Sequence, residues 1–469
     1  MRNPAEVLAE LEQIRAQDPP THGGRVLSYV YDHGRAELDR LVAAAAEQFL
    51  PVNGLDPTTY ASVARLERDL VTFTRSVLHG DDEVVGSVTS GGTESCLLAV
   101  KSARDTFAAR VPGGEPVMVL PTTAHPAFRK AAHYLRVGIR EVAVEVDTGR
   151  PTPAAVMATV EELTSAGHPP ALVVLSAPSY PFGVIDPIAE LAPQLAAAGV
   201  PVHVDACIGG WLLPWWPGAV PVWDFAVEGV TSISTDLHKY GYAPKGASVV
   251  LYRGRERHRA QYFATASWPG YPVVNPTVLG SRSATALAAA WAVTQTLGTE
   301  GYAELVARTA GATEQLATAV ADIDGLAVYG APETALLALV ADPAAPADAR
   351  VDPFLLVDRV RESGFLLQAQ PALTQPGGTA LPRSAHLTIT PVTEDVVDEL
   401  ASALRRGADT SRGVPPPAPD PALVEQVAHE GLPAELAPVM ATLEALDRST
   451  APAALTALLA GVIDPDAGR

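Results

Sequence analysis

The chain has 469 residues, 48% of them apolar, and sets 33 Lys plus Arg against 53 Asp plus Glu for a formal charge of −20. That length calls for more than one packed unit, and the acidic balance excludes nucleic acid and an anionic membrane surface as general partners. A local basic pocket can still take an anionic small molecule.

In chain order, the first stretch, MRNPAEVLAELEQIRAQDPP, reads as an acidic amphipathic helix without the basic start and apolar run of a leader. No apolar stretch reaches membrane-spanning length, so a soluble, cytoplasmic protein is expected. Residues 1–55 form an expected helical segment. Residues 56–300 alternate apolar β-branched runs with Ala/Leu/Glu-rich helical patterns: PVMVL (116–120), EVAVEV (141–146), ALVVLSAP (171–178), VPVHVDA (200–206) and GASVVLY (246–252). Continuous apolar strands of this kind predict an α/β unit with a mostly parallel sheet covered on both faces. Sites in such sheets lie at the carboxyl ends of strands.

A long Ala-rich helix is expected from about Thr285 to Leu297. Beyond it, GLAVYG, TALLALVA, GFLLQAQ and AHLTITP interleave with helices such as VDPFLLVDRVRESG, predicting a small α+β unit over 301–410. GVPPPAPDPA (413–422) reads as a polyproline-like spacer opening a 411–469 tail that is helical near its end and carries no functional signal. The two cysteines, Cys96 and Cys207, lie in apolar stretches, which fits reduced thiols and no disulfide framework.

Four short stretches carry chemistry. TSGGTES (89–95) places glycines and hydroxyls before a helix with Glu94 in its first turn; a helix start like this can hold a phosphate, and equally can be an ordinary glycine-containing cap. HVDACIGG (203–210) ends a buried strand on Asp205, which needs a cationic partner such as a protonated pyridine nitrogen or an internal Arg. His125, in TTAHPAF, can lie flat on a planar ring at the mouth of the sheet or serve the loop as a hydrogen-bonding residue. STDLHKYGYAPKG (234–246) holds His238, Lys239 and Lys245, two of only four lysines in the chain. A desolvated lysine at a strand end can form an imine with an aldehyde; alone, it would more commonly be a solvated surface residue.

Together these stretches resemble the pyridoxal 5′-phosphate (PLP) enzymes of aspartate aminotransferase fold (fold type I), in the group II decarboxylase branch and most closely the sphingosine-1-phosphate lyases of bacterial type. The likeness rests on TSGGTESCLLAVKSARD, TAHPAF, SAPSYPFGVIDPI, HVDACIGGWLLPW, STDLHKYGYAPKGASVVLY, NPTVLGSR and LQAQP…HLTITP, in family order over roughly residues 20–405. The resemblance implies Lys239 as the Schiff-base lysine, Asp205 as the partner of the pyridinium nitrogen and His125 over the ring. It implies Gly92, Thr93 and His238 at the cofactor phosphate, Cys207 and Ser234 in the cofactor-binding set, and Gly280 and Ser281 reaching the phosphate from a neighbouring subunit of a homodimer.

Lys245, in the YAPKG segment, favours the lyase-like subgroup, with a polar task toward an anionic substrate group or a proton; the other reading is a lysine that starts a strand and pairs with an acid. Asn53 falls where these lyases carry a substrate-side asparagine, but the chain reads Asn53-Gly54 where they read Asn-Pro. A tyrosine of theirs is replaced by Val273, with Tyr271 displaced. The expected function is a PLP-dependent lyase cutting a carbon–carbon bond of a β-hydroxy amine, phosphorylated as in sphingosine-1-phosphate or free, into an aldehyde and a small amine. The alternatives are an amino-acid decarboxylase on the same cofactor and, from another class, a PLP-free binding protein.

Overall fold

The computed structural model describes residues 1–423, 426–427, 433–447 and 450–465. Seven strands build the main sheet: β1 (Val84–Thr89), β2 (Val117–Pro121), β3 (Gly138–Val142), β4 (Leu172–Ser176), β5 (Val202–Asp205), β6 (Val230–Thr235) and β7 (Ser248–Arg253), in the order β1-β7-β6-β5-β4-β2-β3. The β3-β2-β4-β5-β6 ladder is parallel, whereas β7 runs antiparallel to both β6 and β1. The strand GASVVLY is therefore present but reversed. Its apolar run satisfies a doubly covered position in either direction, so pattern alone does not carry polarity.

Helices accompany this sheet along the chain: α1 (Pro4–Arg15), whose residues are all exposed, α2 (Ala36–Phe49), α3 (Ala61–Val77), α4 (Gly92–Arg110), α5 (Pro126–Leu135), α6 (Pro153–Ser165), α7 (Ile188–Ala197) and α8 (Arg255–Ala260). Alternate strand residues point to opposite faces. Met118, Leu120, Leu172 and Val174 pack with Val100 of α4 and Phe128 of α5. Val119, Val173 and Leu175 pack instead into the cluster holding Val156 and Val160 of α6 and Leu191 of α7. This two-sided burial leaves the strand ends as the place where polar groups can gather.

Two expectations change, and one strand, β1, is additional to those expected. EVAVEV contributes only its first residues, because β3 is an edge strand that ends at Val142. Strand β1 lacks a clean apolar run because Gly86 interrupts it; a Cβ there would stand 2.2 Å from the Val250 carbonyl oxygen of β7. The Ala-rich helix continues as α9 (Thr285–Ala321), broken at Gly298 with φ of 52°, so the end expected at Leu297 marks a kink that glycine accommodates.

A hairpin, β8 (Phe263–Thr265) and β9 (Val273–Asn275), precedes α9. Beyond α9, β10 (Leu326–Val328), β11 (Leu336–Ala341), β12 (Gln368–Gln370) and β15 (Ser384–Thr388) form an antiparallel sheet with α10 (Pro353–Glu362) and α11 (Val397–Ser411); β13 (Leu373–Thr374) and β14 (Ala380–Leu381) pair separately. In the tail, helix Ala437–Ala445 packs on Phe354. The Asp358 carboxylate accepts the N–H groups of Leu436 and Ala437, and Arg383 joins Asp352 to Glu444. Among the described residues, no helix is long and apolar enough to cross a membrane.

Candidate active site

The carboxyl ends of β1, β2, β4, β5 and β6 open onto one cavity of about 410 Å³. Its wall includes Gly92 and Thr93 after β1, His125 after β2, Tyr180 after β4, Asp205 and Cys207 at the end of β5, and Asp236, His238 and Lys239 after β6. Residues nearly 150 positions apart thus meet because the strands that deliver them run in the same direction.

Lys239 reaches into this cavity with its Nζ 3.0 Å from Oδ2 of Asp236, three residues earlier. Asp236 is buried at 1% exposure, and its Oδ1 has no hydrogen-bond partner. Burial alone would lower the Lys239 pKa, but the facing Asp236 carboxylate outweighs it and holds the ammonium well above the ordinary lysine value. Conversely, burial would raise Asp236, and the Lys239 charge together with the His238 ring hydrogen bond keeps it well below the carboxylate range. The His238 ring faces the same carboxylate at 3.5 Å through Nε2, while its Nδ1 accepts backbone N–H groups of Gly246 and Ala247.

Asp205 borders the cavity at 7% exposure. One of its oxygens, Oδ1, accepts the Cys207 N–H at 3.1 Å and approaches the Ser234 hydroxyl at 3.5 Å. Ser234 is fully buried behind that carboxylate and does not line the cavity. His125 Nδ1 caps α5 by accepting the Ala127 N–H at 3.2 Å, and the residue also lines the cavity. Burial lowers its pKa, so the neutral imidazole with its hydrogen on Nε2 is the resting form.

Lys245 is not among the residues that line the cavity. Its Nζ donates to the His238 carbonyl at 3.0 Å and stands 4.7 Å over the Tyr31 ring. Although the residue is exposed, the surrounding protein and the positive charge of Lys239 push its ammonium down to about 8. It is not the acid-paired strand starter of the alternative reading.

Asn53, Gly280 and Ser281 do not border the Lys239 cavity of their own chain. They meet elsewhere: Asn53 Nδ2 donates to Ser281 Oγ at 3.3 Å and its Oδ1 accepts the N–H groups of Leu55 and Arg282. Within one chain Asn53 thus lies apart from Lys239, and its amide clamps two loops. Gly280 and Ser281 line a second cavity of about 1480 Å³ with Leu55, Trp268 and Tyr271.

Two residues escaped the sequence reading. Asp236 was visible in STDLHK at the i, i+3 spacing that brings side chains together, but Asp205 already supplied an acidic partner. Tyr180, inside SAPSYPFG, donates to Gln368 at 2.6 Å and packs on the His386 ring at 4.4 Å, tying the cavity to β12 and β15.

The lining fits a phosphorylated pyridine aldehyde. No side chain caps the first turn of α4, leaving its N–H groups for an anion. A Cβ on Gly92 would meet both Asp236 oxygens and Cys207 Sγ at 2.7–2.8 Å, so the cradle exists only with glycine there. A single amine (Lys239), a carboxylate for a ring nitrogen (Asp205) and a neutral imidazole for a ring face (His125) complete the donor set.

This fold and this lining define a PLP enzyme of fold type I. The chain belongs to the pyridoxal-dependent decarboxylase family, whose conserved domain matches residues 49–338. It is 35% identical to the sphingosine-1-phosphate lyase of Arabidopsis thaliana over 423 residues, 88% of this chain and 73% of that one. It is 38% identical to sphingosine-1-phosphate lyase 1 of Rattus norvegicus over 344 residues, 71% of this chain and 58% of that one. Among solved structures, the sphingosine-1-phosphate lyase of Burkholderia pseudomallei superposes with a TM-score of 0.79 at 31% identity, covering 88% of this chain and 92% of that chain. Glutamate decarboxylase of Lactobacillus brevis, at 19% identity and a TM-score of 0.75 over 88% of this chain and 93% of that one, shares the fold.

Two outcomes follow from the charges. Asp236→Asn removes the carboxylate that raises the Lys239 pKa, leaving more free amine at neutral pH. Cofactor-free protein of this variant should take up PLP severalfold faster by visible absorbance; an unchanged rate contradicts the pairing. If the Lys245 ammonium is the working form, activity should fall as pH rises through about 8. Lys245→Arg, which stays charged, should move that descending limb upward, and a limb that stays in place removes Lys245 as its origin.

Proposed function

We propose that this protein is a PLP-dependent carbon–carbon lyase that cleaves a phosphorylated β-hydroxy amine of the sphingosine-1-phosphate type into a long-chain aldehyde and a small amine such as phosphoethanolamine. When bound, the cofactor supplies an electron sink conjugated to the substrate α-carbon. Lys239 would carry it, Asp205 would keep its ring nitrogen protonated, His125 would cover the ring, and the α4 start with Gly92, Thr93 and His238 would take its phosphate.

The bond that breaks is the one held perpendicular to the ring, so the substrate-side groups decide the outcome. Lys245 carries this reading: an exposed ammonium close to Lys239 with a pKa of about 8 would hold an anionic group or exchange a proton with the β-hydroxyl as it becomes a carbonyl. Its position beside Lys239, over Tyr31, and the likeness to lyases across most of the chain both support that choice.

The site would be completed in a cytoplasmic homodimer. The cluster of Asn53, Gly280 and Ser281 lies away from its own Lys239, and nearby Trp268, Tyr271, Val278 and Leu279 are exposed apolar side chains suited to burial against a second copy.

Purified protein mixed with phosphorylated and free β-hydroxy amines and with amino acids, followed by mass spectrometry, tests the reaction. The expected products are an aldehyde and a phosphorylated amine from the phosphorylated substrate. Release of carbon dioxide from an amino acid without aldehyde from any β-hydroxy amine would establish the decarboxylase instead.

A further inference from the structure

The only two cysteines of the chain come from distant elements, Cys96 on α4 and Cys207 just after β5, yet they meet beneath the cavity. Their sulfurs and one Asp205 oxygen all lie within 4.8 Å of one another. Ser234 Oγ sits almost equally far from all three: 3.7 Å from Cys96 Sγ, 3.5 Å from Cys207 Sγ and 3.5 Å from Asp205 Oδ1. All four residues are buried, at 1%, 8%, 7% and 0% exposure for Cys96, Cys207, Asp205 and Ser234.

Tetrahedral ligands about 2.0–2.3 Å from a zinc-like cation are separated by edges of about 3.3–3.8 Å, so the three Ser234 distances already fall within that range. Two sulfurs with one carboxylate select a thiophilic divalent ion over magnesium or calcium. His203, whose two ring nitrogens face the hydroxyls of Ser232 and Ser234 at 2.9 and 3.2 Å, backs the cluster and can hydrogen-bond the Ser234 hydroxyl while its oxygen turns to the ion.

We infer that the cofactor-free protein binds one thiophilic divalent cation at Cys96, Cys207, Asp205 and Ser234, and that this ion and the cofactor exclude one another. Cys96, Cys207 and Asp205 all border the cavity that the cofactor fills, so a bound cofactor closes the approach. An ion on Asp205 takes the carboxylate needed by the pyridine nitrogen and places a dication against a ring that must itself be protonated. Binding releases one proton from each thiol as it becomes a thiolate ligand. The exclusion rests on the cofactor assignment of the preceding section; the coordination does not.

The test is a titration of the full chain, freed of cofactor, with cobalt(II) alone and then with cadmium(II) as competitor. The expected result is a thiolate-to-cobalt charge-transfer absorbance that saturates at one ion per chain, releases two protons per ion in weak buffer and disappears on cadmium addition. Cys96→Ser should weaken cobalt binding at least tenfold, and prior saturation with PLP should abolish the band. A missing band, or one that survives Cys96→Ser unchanged, overturns the site. In the wild-type chain, which needs no variant to fold, fewer than two protons released per ion also overturns it. A band undiminished by bound PLP overturns the exclusion, whereas failure to take up PLP at all would refute the cofactor reading and leave the cobalt result standing.

Discussion

A lysine ammonium held against a carboxylate at the inner end of a parallel sheet is the constraint on which this molecule turns. Lys239 and Asp236 face each other at 3.0 Å on the wall of the cavity at the strand ends. Removing two charges from water is costly, and their attraction offsets that cost only when geometry and neighbouring hydrogen bonds are good. Here the pair is incomplete: Asp236 Oδ1 has no hydrogen-bond partner, and a lysine whose pKa is raised is a poor nucleophile until something displaces the carboxylate. Such an arrangement makes sense as a resting state awaiting a ligand, with the uncapped start of α4 and the paired Lys239 ammonium on the wall of one cavity.

Parallel strands make that arrangement possible. Five strand ends from β1 to β6 deliver the glycine turn, the imidazole, the tyrosine, the two carboxylates and the lysine to one edge, while the interior of each strand is taken up by packing against helices on both faces. Gly92 shows how little slack remains, since even a methyl group there would strike Asp236 and Cys207. Stability of the sheet and chemistry of its edge are therefore separable in sequence: apolar runs serve the first, and the two to four residues after each run serve the second.

That separation is why so much of the protein can be read from its residues. The runs VMVL, ALVVLSAP and VPVHVDA become β2, β4 and β5, and the polar residues after them line the cavity. What could not be read are relations between distant segments. The reversed direction of β7 leaves no trace in an apolar run, β1 is masked by a glycine required by its neighbour's carbonyl, and β3 shortens because it lies at an edge. At the site, Asp236 was hidden by the adequacy of Asp205, and the capping bond of His125 is compatible with a place on the cavity wall, since Nδ1 takes the Ala127 N–H while the ring lines the cavity. Asn53 illustrates the opposite case, in which a motif position is present but its amide is engaged by Leu55, Ser281 and Arg282, away from the cavity of the same chain.

The central claim is that Lys239, of the four lysines, is the residue that carries the cofactor. Reduction of the PLP-loaded protein with borohydride, followed by proteolysis and peptide mass spectrometry, tests it directly. The account predicts a single phosphopyridoxyl modification on the peptide containing Lys239, located at that residue by fragmentation. A modification on Lys245, Lys101 or Lys130 in its place, or a fully unmodified protein, would contradict it.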